Sequence, residues 1–461
     1  MGEKHKNRAV IEIDEELLND ISDLIRSNSE VLLQNILADI YPADIALIID
    51  NLEDEESYWL FKILDDNTEA EVLSELVVNK RDYILDRLDS AAISSIVGKL
   101  DSDDAADIIS ELDEETAGEV LSKMKAEDSS EVKELLAYEE NTAGGIMQKE
   151  FVVIKTTDSI NKAVEAIKAA DPDDDGIYHV WVIDENSRLK GTVSLKKIIL
   201  ALDTPTMIIA DIMNTEVISV DVNTDQEEVA EIFRKYDLIV LPVVDKNQRI
   251  VGRILIDDII DVIQEEYEED VAKMVGSAAG EIESRSPVQI AWMRLPWVLV
   301  TLGIQFLAGI VIHFYDETLS KVILLTSFMP IISAISGNTG LQASAMMVRG
   351  LALGTVNPAR WLNAVKRSLL ISLIIGLTCG MITGAIGYIW YGKILFGVVV
   401  GLSMCISINI SAFLGTTTPL LSQKMGFDPA ITVGPFETAF QDVIGITVFL
   451  TLSTLALKWL M

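Results

Sequence analysis

Apolar positions in the first part of the chain recur at intervals of three and four, with acidic turns between them. Asp44-Ile-Ala-Leu-Ile-Ile-Asp-Asn-Leu52 is echoed sixty residues later by Asp104-Ala-Ala-Asp-Ile-Ile-Ser-Glu-Leu112, and an acidic turn follows each (Glu53–Glu56; Asp113–Glu115). This spacing predicts short stacked helices over 10–135, forming a small α-helical superhelix. The acidic turns read as helix starts and solvated faces.

From residue 138 the period shortens. β-Branched runs at Phe151–Lys155, His179–Asp184 and Gly191–Ser194 surround a helical stretch, Ile160–Ala170. The pattern returns as Val217–Val220, Glu227–Tyr236, Leu238–Asp245 and Gly252–Ile256. Asp184-Glu-Asn-Ser-Arg-Leu-Lys-Gly191 matches Asp245-Lys-Asn-Gln-Arg-Ile-Val-Gly252 at an offset of 61. A tandem β-α-β-β-α unit is predicted over 138–263, in halves of about 138–200 and 201–263. An acidic helix, Asp257 to Asp270, then leads towards the apolar part of the chain. Asp258, Asp261 and Glu265 share one of its faces, and Glu266, Glu269 and Asp270 nearly share another.

Beyond residue 286 the polar pattern almost vanishes. Leu295–Tyr315, Val322–Val348, Ser368–Gly392 and Ile394–Gln423 carry no charge, and Pro429–Leu457 carries only Glu437 and Asp442. About 20 apolar residues cross a bilayer, so 287–461 predicts five spans. The second and fourth runs are overlong, and Pro330, Gly337, Gly340, Gly415 and Pro419 are expected to break them. Arg349, Arg360, Lys366, Arg367 and Lys424 fall in the loops on one side, against Lys321 and Lys393 on the other. The excess puts the first set, and the N-terminus, in the cytoplasm, and an odd number of spans leaves the C-terminus outside.

Charge sharpens this division. Of 72 acidic and 36 basic residues in 461, residues 1–285 hold 67 and 27. So acidic a half repels polyanions and excludes nucleic-acid binding. Cys379 and Cys405 lie in apolar runs, and three scattered histidines make no zinc site. The polar N-terminus lacks the apolar core of a secretory signal. There is no GxxxxGK[ST] phosphate loop, so no built-in ATP motor is visible and no enzymatic reaction is expected.

Intramembrane carboxylates are costly and mark pathways. Asp442, about 13 residues past the turn Phe427-Asp428-Pro429, is the leading pore candidate. Glu437, five residues earlier, points some 140° away and serves either the pore or the packing. Asn338 and Gln342, among the small residues of Ser336–Gln342, offer carbonyl oxygens to a cation and also allow close helix packing. On the acidic helix, where no compensating Lys or Arg lies nearby except Lys273, carboxylates without lysine partners suit hard divalent cations, and a solvated face is the plainer alternative.

The tandem unit resembles a pair of CBS domains, which often bind adenine nucleotides. Ser194-Leu-Lys-Lys lacks the acid such a site favours in the first repeat, whereas Asp257 occupies that place in the second. The whole order, with Gly337-Asn-Thr-Gly-Leu-Gln342, Val348-Arg-Gly-Leu-Ala352 and Asp428-Pro-Ala…Gly434-Pro-Phe…Asp442, resembles the MgtE family of magnesium channels. That resemblance implies a helical N domain over 1–135, the CBS pair, a connecting "plug" helix over 264–286 and a membrane domain with the pore between the subunits of a homodimer. It makes Asp442 the selectivity carboxylate, in a set with Gly337, Asn338, Gln342 and Thr438. It also makes Asp103, Asp107, Asp225, Glu227, Asp237, Asp258, Asp261, Glu266, Glu269 and Asp270 sensors of internal Mg²⁺, with ATP as a possible modulator. Glu437 and Leu341 depart from the family pattern. The expected activity is Mg²⁺ import down the membrane potential, closed by internal Mg²⁺. The alternative is a proton- or sodium-coupled carrier of divalent cations.

Overall fold

The structure, a computed structural model, describes residues 13–170, 177–277, 287–352, 355–356, 360–430 and 433–460. Residues 278–286, the end of the expected connecting segment, and the polar N-terminal dozen lie outside them. The chain forms two compact units, 1–264 and 265–461, each described by itself.

Ten helices among the described residues, from Glu15–Arg26 to Ala126–Leu135, open the first unit. Alternate helices pack, as Pro42–Asn51 does on Asp66–Glu75 and Ser102–Ser110 on Ala126–Leu135, so the array turns as it climbs. Their apolar faces meet in one core holding Ile45, Ile48, Leu60, Phe61, Leu73 and Ile108. Four aspartates act as caps: Asp14 accepts from the Leu17 amide at 2.9 Å, Asp65 from that of Thr68 at 3.2 Å, Asp89 from that of Ala92 at 2.7 Å, and Asp113 from those of Glu115 and Thr116. Such bonds satisfy amides that the first helical turn leaves unpaired. Glu53 makes no such bond, although Asp54, Glu55 and Glu56 fill the turn after it.

Each half of the tandem unit holds a three-stranded sheet. Val153–Lys155 runs parallel to His179–Ile183, which pairs antiparallel with Leu189–Ser194; Val220–Asp221, Val240–Val244 and Ile250–Leu255 repeat the arrangement. The sequence echo is a matched turn. Asp184 accepts from the amides of Asn186 and Arg188, and Asp245 from those of Asn247 and Arg249. Ser187 (φ 60°) and Gln248 (φ 63°) take the same left-handed backbone. The Leu189 amide donates to the Gln248 carbonyl at 2.9 Å, tying one turn to the other.

The acidic helix is continuous from Ile256 to Val275, so it begins inside the second repeat. In the second unit, helices span Pro287–Phe314, Leu325–Ala352, Trp361–Tyr391, Ile394–Lys424 and Pro435–Leu455. Among the described residues four helices are long and apolar enough to cross a membrane. Leu325–Ala352 is long enough but less apolar, because Ser333, Ser336, Asn338, Thr339, Gln342 and Ser344 lie along it. The expected breaks are absent: Pro330 and Pro419 sit inside unbroken helices. The glycines instead let backbones approach. A Cβ on Gly384 would lie 2.7 Å from the Gly397 carbonyl oxygen of the neighbouring helix.

Candidate functional site: a clamped intramembrane carboxylate and buried acids in the soluble unit

Asp442 stands on the helix Pro435–Leu455 and is half-buried. No cation meets it. Ser333 Oγ donates to Oδ1 at 2.6 Å, and Gln305 Nε2 to Oδ2 at 2.9 Å. Neutral donors from two other helices thus hold both oxygens. The packing gathers Gly337 and Thr438 here as well: a Cβ on Gly337 would lie 3.4 Å from Asp442 Oδ1 and 3.3 Å from the Thr438 methyl. Asn338 and Gln342, one turn apart on Leu325–Ala352, are exposed on this protomer. Side-chain amides exposed on a helix packed among apolar ones are costly in hydrocarbon and stable against water or polar protein.

Glu437 is elsewhere. It is 4% exposed, bonded to Ser344 Oγ and to Gln441 Nε2, the latter at 2.8 Å. Ser344 also lies 2.8 Å from the Gly415 carbonyl, so Glu437 ties three helices together in the interior. Gly340 makes room for Gln441, whose side chain fills the place of a Cβ. Leu341 packs with Val348, Ala430, Val433 and Met274.

In the first unit, Glu150 receives the start of helix Ser102–Ser110, accepting from the Ser102 amide (3.2 Å) and hydroxyl (2.8 Å). That seats Asp103, which is 8% exposed, and leaves its Oδ1 buried without a hydrogen-bond partner. Burial, then the charges of Asp258 and Asp104, hold the Asp103 carboxyl well above its usual range. Burial and the charges of Asp107, Asp101 and Glu75 push Asp104 to about 7. Asp258 also reaches about 7, raised first by burial and then by Asp257, Asp104 and Asp101; its Oδ2 accepts from the Leu255 amide at 3.1 Å. Asp261 is raised by burial and Asp257, and Glu75 by burial and Asp261. A set of acids thus faces itself with little compensation. Even so, no group of three or more His, Cys, Asp or Glu among the described residues stands ready to hold a metal ion. The chemistry suits a hydrated cation bridging pairs of carboxylates rather than a closed cage.

The other expected residues are dispersed. Asp107 and Asp257 are exposed. Asp225 caps the helix Gln226–Tyr236 through the Glu227 amide, Glu227 is exposed, and Asp237 ends that helix with φ 50°. In the second unit, Glu269 is paired: Lys273 Nζ reaches its carboxylate at 2.6 Å and that of Asp428 at 2.8 Å. Burial and the Asp428 charge raise Asp270 to about 6, with smaller contributions from Glu266 and Glu269. The sequence reading missed Gln305, Ser333, Ser344 and Gln441. Gln305, a lone amide in an otherwise apolar run, was the available signal.

A carboxylate on an apolar helix, met among the described residues by neutral donors only, in a chain with an acid-rich first unit, points to the class of membrane transporters of divalent cations. Family models match at 329–452 (divalent cation transporter, MgtE), 40–141 (MgtE intracellular N domain), and 143–204 and 209–265 (CBS domain). The chain belongs to the MgtE family of magnesium transporters. It is a transporter, located in the bilayer, and not an enzyme. It is 33% identical over 327 residues to the magnesium transporter MgtE of Enterococcus faecalis, covering 71% of this chain and 72% of that one. With the magnesium transporter MgtE of Thermus thermophilus it shares 29% over 451 residues, 97% and 100% of the two chains. A solved structure of the cytosolic domain of the Mg²⁺ channel MgtE in complex with ATP matches 53% of this chain and 99% of that one, at 33% identity and a TM-score of 0.50.

Proposed function

We propose that the chain imports Mg²⁺ down the membrane potential through a pore lined by Asp442, Gly337, Asn338, Gln342 and Thr438. The observation that carries this is the meeting of Asp442, among the described residues, with neutral donors alone, beside the exposed amides of Asn338 and Gln342. Two protomers facing one another across these surfaces would cover the amides and place two Asp442 carboxylates around one hydrated ion, which suits a cation that sheds water reluctantly. A divalent ion crossing about 150 mV gains about 7 kcal/mol, so no further energy source is required.

The domain division 1–135, 138–263, 264–286 and 287–461, five spans, a cytoplasmic N-terminus and an outside C-terminus complete this reading. Driven entry needs a brake. At low internal Mg²⁺ the carboxylates repel one another. At high Mg²⁺, ions bridge Asp103, Asp107, Asp258 and Asp261, the exposed acids Asp225, Glu227 and Asp237, and Glu266, Glu269 and Asp270, and the pore is held closed. The buried, unpartnered Asp103 Oδ1 and the raised acids around it support a cation site there. ATP, bound by the related cytosolic domain, would act at the CBS pair, where Asp257 is the acid on offer. Deleting 1–135, or making Asp258→Asn with Asp261→Asn, should relieve inhibition by internal Mg²⁺; unchanged inhibition refutes the sensor.

A second reading is a proton- or sodium-coupled carrier. It draws on Glu437, a second carboxylate buried among the helices. Flux that follows an imposed proton or sodium gradient at fixed potential would favour it.

A further inference from the structure

Asp442 is the residue on which transport turns in the reading above, yet its immediate partners belong to none of the motifs that suggested that reading. Ser333 lies one turn before Gly337 on Leu325–Ala352, and Gln305 lies on Pro287–Phe314. Their donor atoms approach different oxygens of the same carboxylate, Ser333 Oγ at 2.6 Å from Oδ1 and Gln305 Nε2 at 2.9 Å from Oδ2. A carboxylate only accepts, so the Gln305 amide nitrogen is the atom that must face it. Each oxygen keeps a second lone pair, directed away from its donor.

We propose that Ser333 and Gln305 are specificity-determining partners of Asp442, tempering its carboxylate so that it holds a hydrated cation and does not strip one of its water. The inference rests on the transport reading and deepens it.

The physics is a competition. A bare carboxylate in a poorly hydrated site has a strong local field and favours direct coordination. Ca²⁺, which accepts six to eight oxygens in flexible geometry, profits most from that, whereas Mg²⁺ keeps several waters. Two neutral donors already satisfy part of the oxygens' demand, weakening direct coordination while leaving the full negative charge to attract a hydrated ion. They also fix the carboxylate plane, through one donor from each of two helices, so that both oxygens do not swing onto one ion. Gly337 lets the backbone of Leu325–Ala352 come close to the carboxylate, since a Cβ there would lie only 3.4 Å from Oδ1. Removing either donor should strengthen direct binding, and Ca²⁺ should become the better blocker.

The test uses the full chain in liposomes at fixed membrane potential, with Mg²⁺ flux titrated by external Ca²⁺. In Ser333→Ala and in Gln305→Leu the half-inhibitory Ca²⁺ concentration should fall about tenfold relative to the Mg²⁺ concentration giving half-maximal flux, equivalent to about 1.4 kcal/mol and in keeping with loss of a hydrogen bond to a charged group. Ser333→Thr, which keeps the hydroxyl, should return the ratio to the wild-type value. A merely structural tie would lower maximal flux for these variants and leave the Ca²⁺-to-Mg²⁺ ratio unmoved, and that result overturns the proposal. Should Ser333→Ala fail to fold, Gln305→Leu decides, because that side chain is exposed on the protomer. A wild type without Mg²⁺ flux overturns the transport reading itself, while intact flux with an unmoved ratio overturns only the role of these two residues.

Discussion

Lys273 Nζ stands 2.8 Å from Asp428 Oδ2, joining residues 155 positions apart, and the same ammonium reaches Glu269 at 2.6 Å. Burial works against its charge, but the bonds to Asp428 and Glu269 outweigh it and hold the lysine above its ordinary range. The end of the acidic helix is therefore tied to the turn before the last long helix by a cation that is part of the chain. Met274 packs nearby against Val348, Ala430 and Val433.

That tie should support the closed state. Lys273→Gln is expected to raise the internal Mg²⁺ needed for half-inhibition about fivefold, the factor for about 1 kcal/mol, at the upper end for a partly exposed pair. Flux into liposomes of defined internal Mg²⁺ measures it. An unchanged inhibition curve would show that the pair contributes nothing to closure.

The buried acids of the first unit make an unusual pH prediction. Burial holds the Asp104 and Asp258 carboxyls at about 7 in the folded chain, against 3.8 for an aspartate free in water. A carboxyl with a raised folded pKa favours the fold when protonated. Its contribution is complete below the unfolded value and is lost as pH rises through the folded one, here between about pH 4 and pH 7. In chelator, hydrogen-exchange protection of helix Ser102–Ser110, corrected for intrinsic rate, should fall from about pH 5.5 to pH 8. Millimolar Mg²⁺ should flatten that fall. Protection that rises with pH in chelator would contradict the assignment.

Close packing supplies a third expectation. A Cβ on Gly340 meets the side chain of Gln441, so Gly340→Ala should destabilise the second unit by about 1–3 kcal/mol, the usual cost of overpacking. Gln441→Ala in the same chain should recover part of this loss, giving a non-additive cycle. Additive melting shifts would mean that the two do not share that space.

How much of this was legible in the sequence depended on the range of the interaction. The echoes at Asp44 and Asp104, and at Asp184 and Asp245, announced repeated local structure, because capping and turn formation involve residues a few positions apart. The breaks expected at Pro330 and Gly415 failed for the opposite reason. Whether a glycine interrupts a helix or admits a neighbour is decided by the neighbour, and Gly415 packs against the Gly340 backbone. Asp442 stood out as a charge in an apolar run, while its partners Ser333 and Gln305, 109 and 137 positions away, did not. Lys273 was visible as the one cation near the acidic run, and its pairing with Asp428 was not.

The most direct test of the central claim is Mg²⁺ uptake by liposomes carrying the full chain, driven only by an imposed inside-negative potential, with and without Asp442→Asn. Asp442→Asn keeps the shape and removes the charge. The account predicts saturable uptake by the wild type that grows with the potential, and a loss of about a hundredfold in the variant, the factor for about 2.7 kcal/mol. Uptake by Asp442→Asn at the wild-type rate would contradict it.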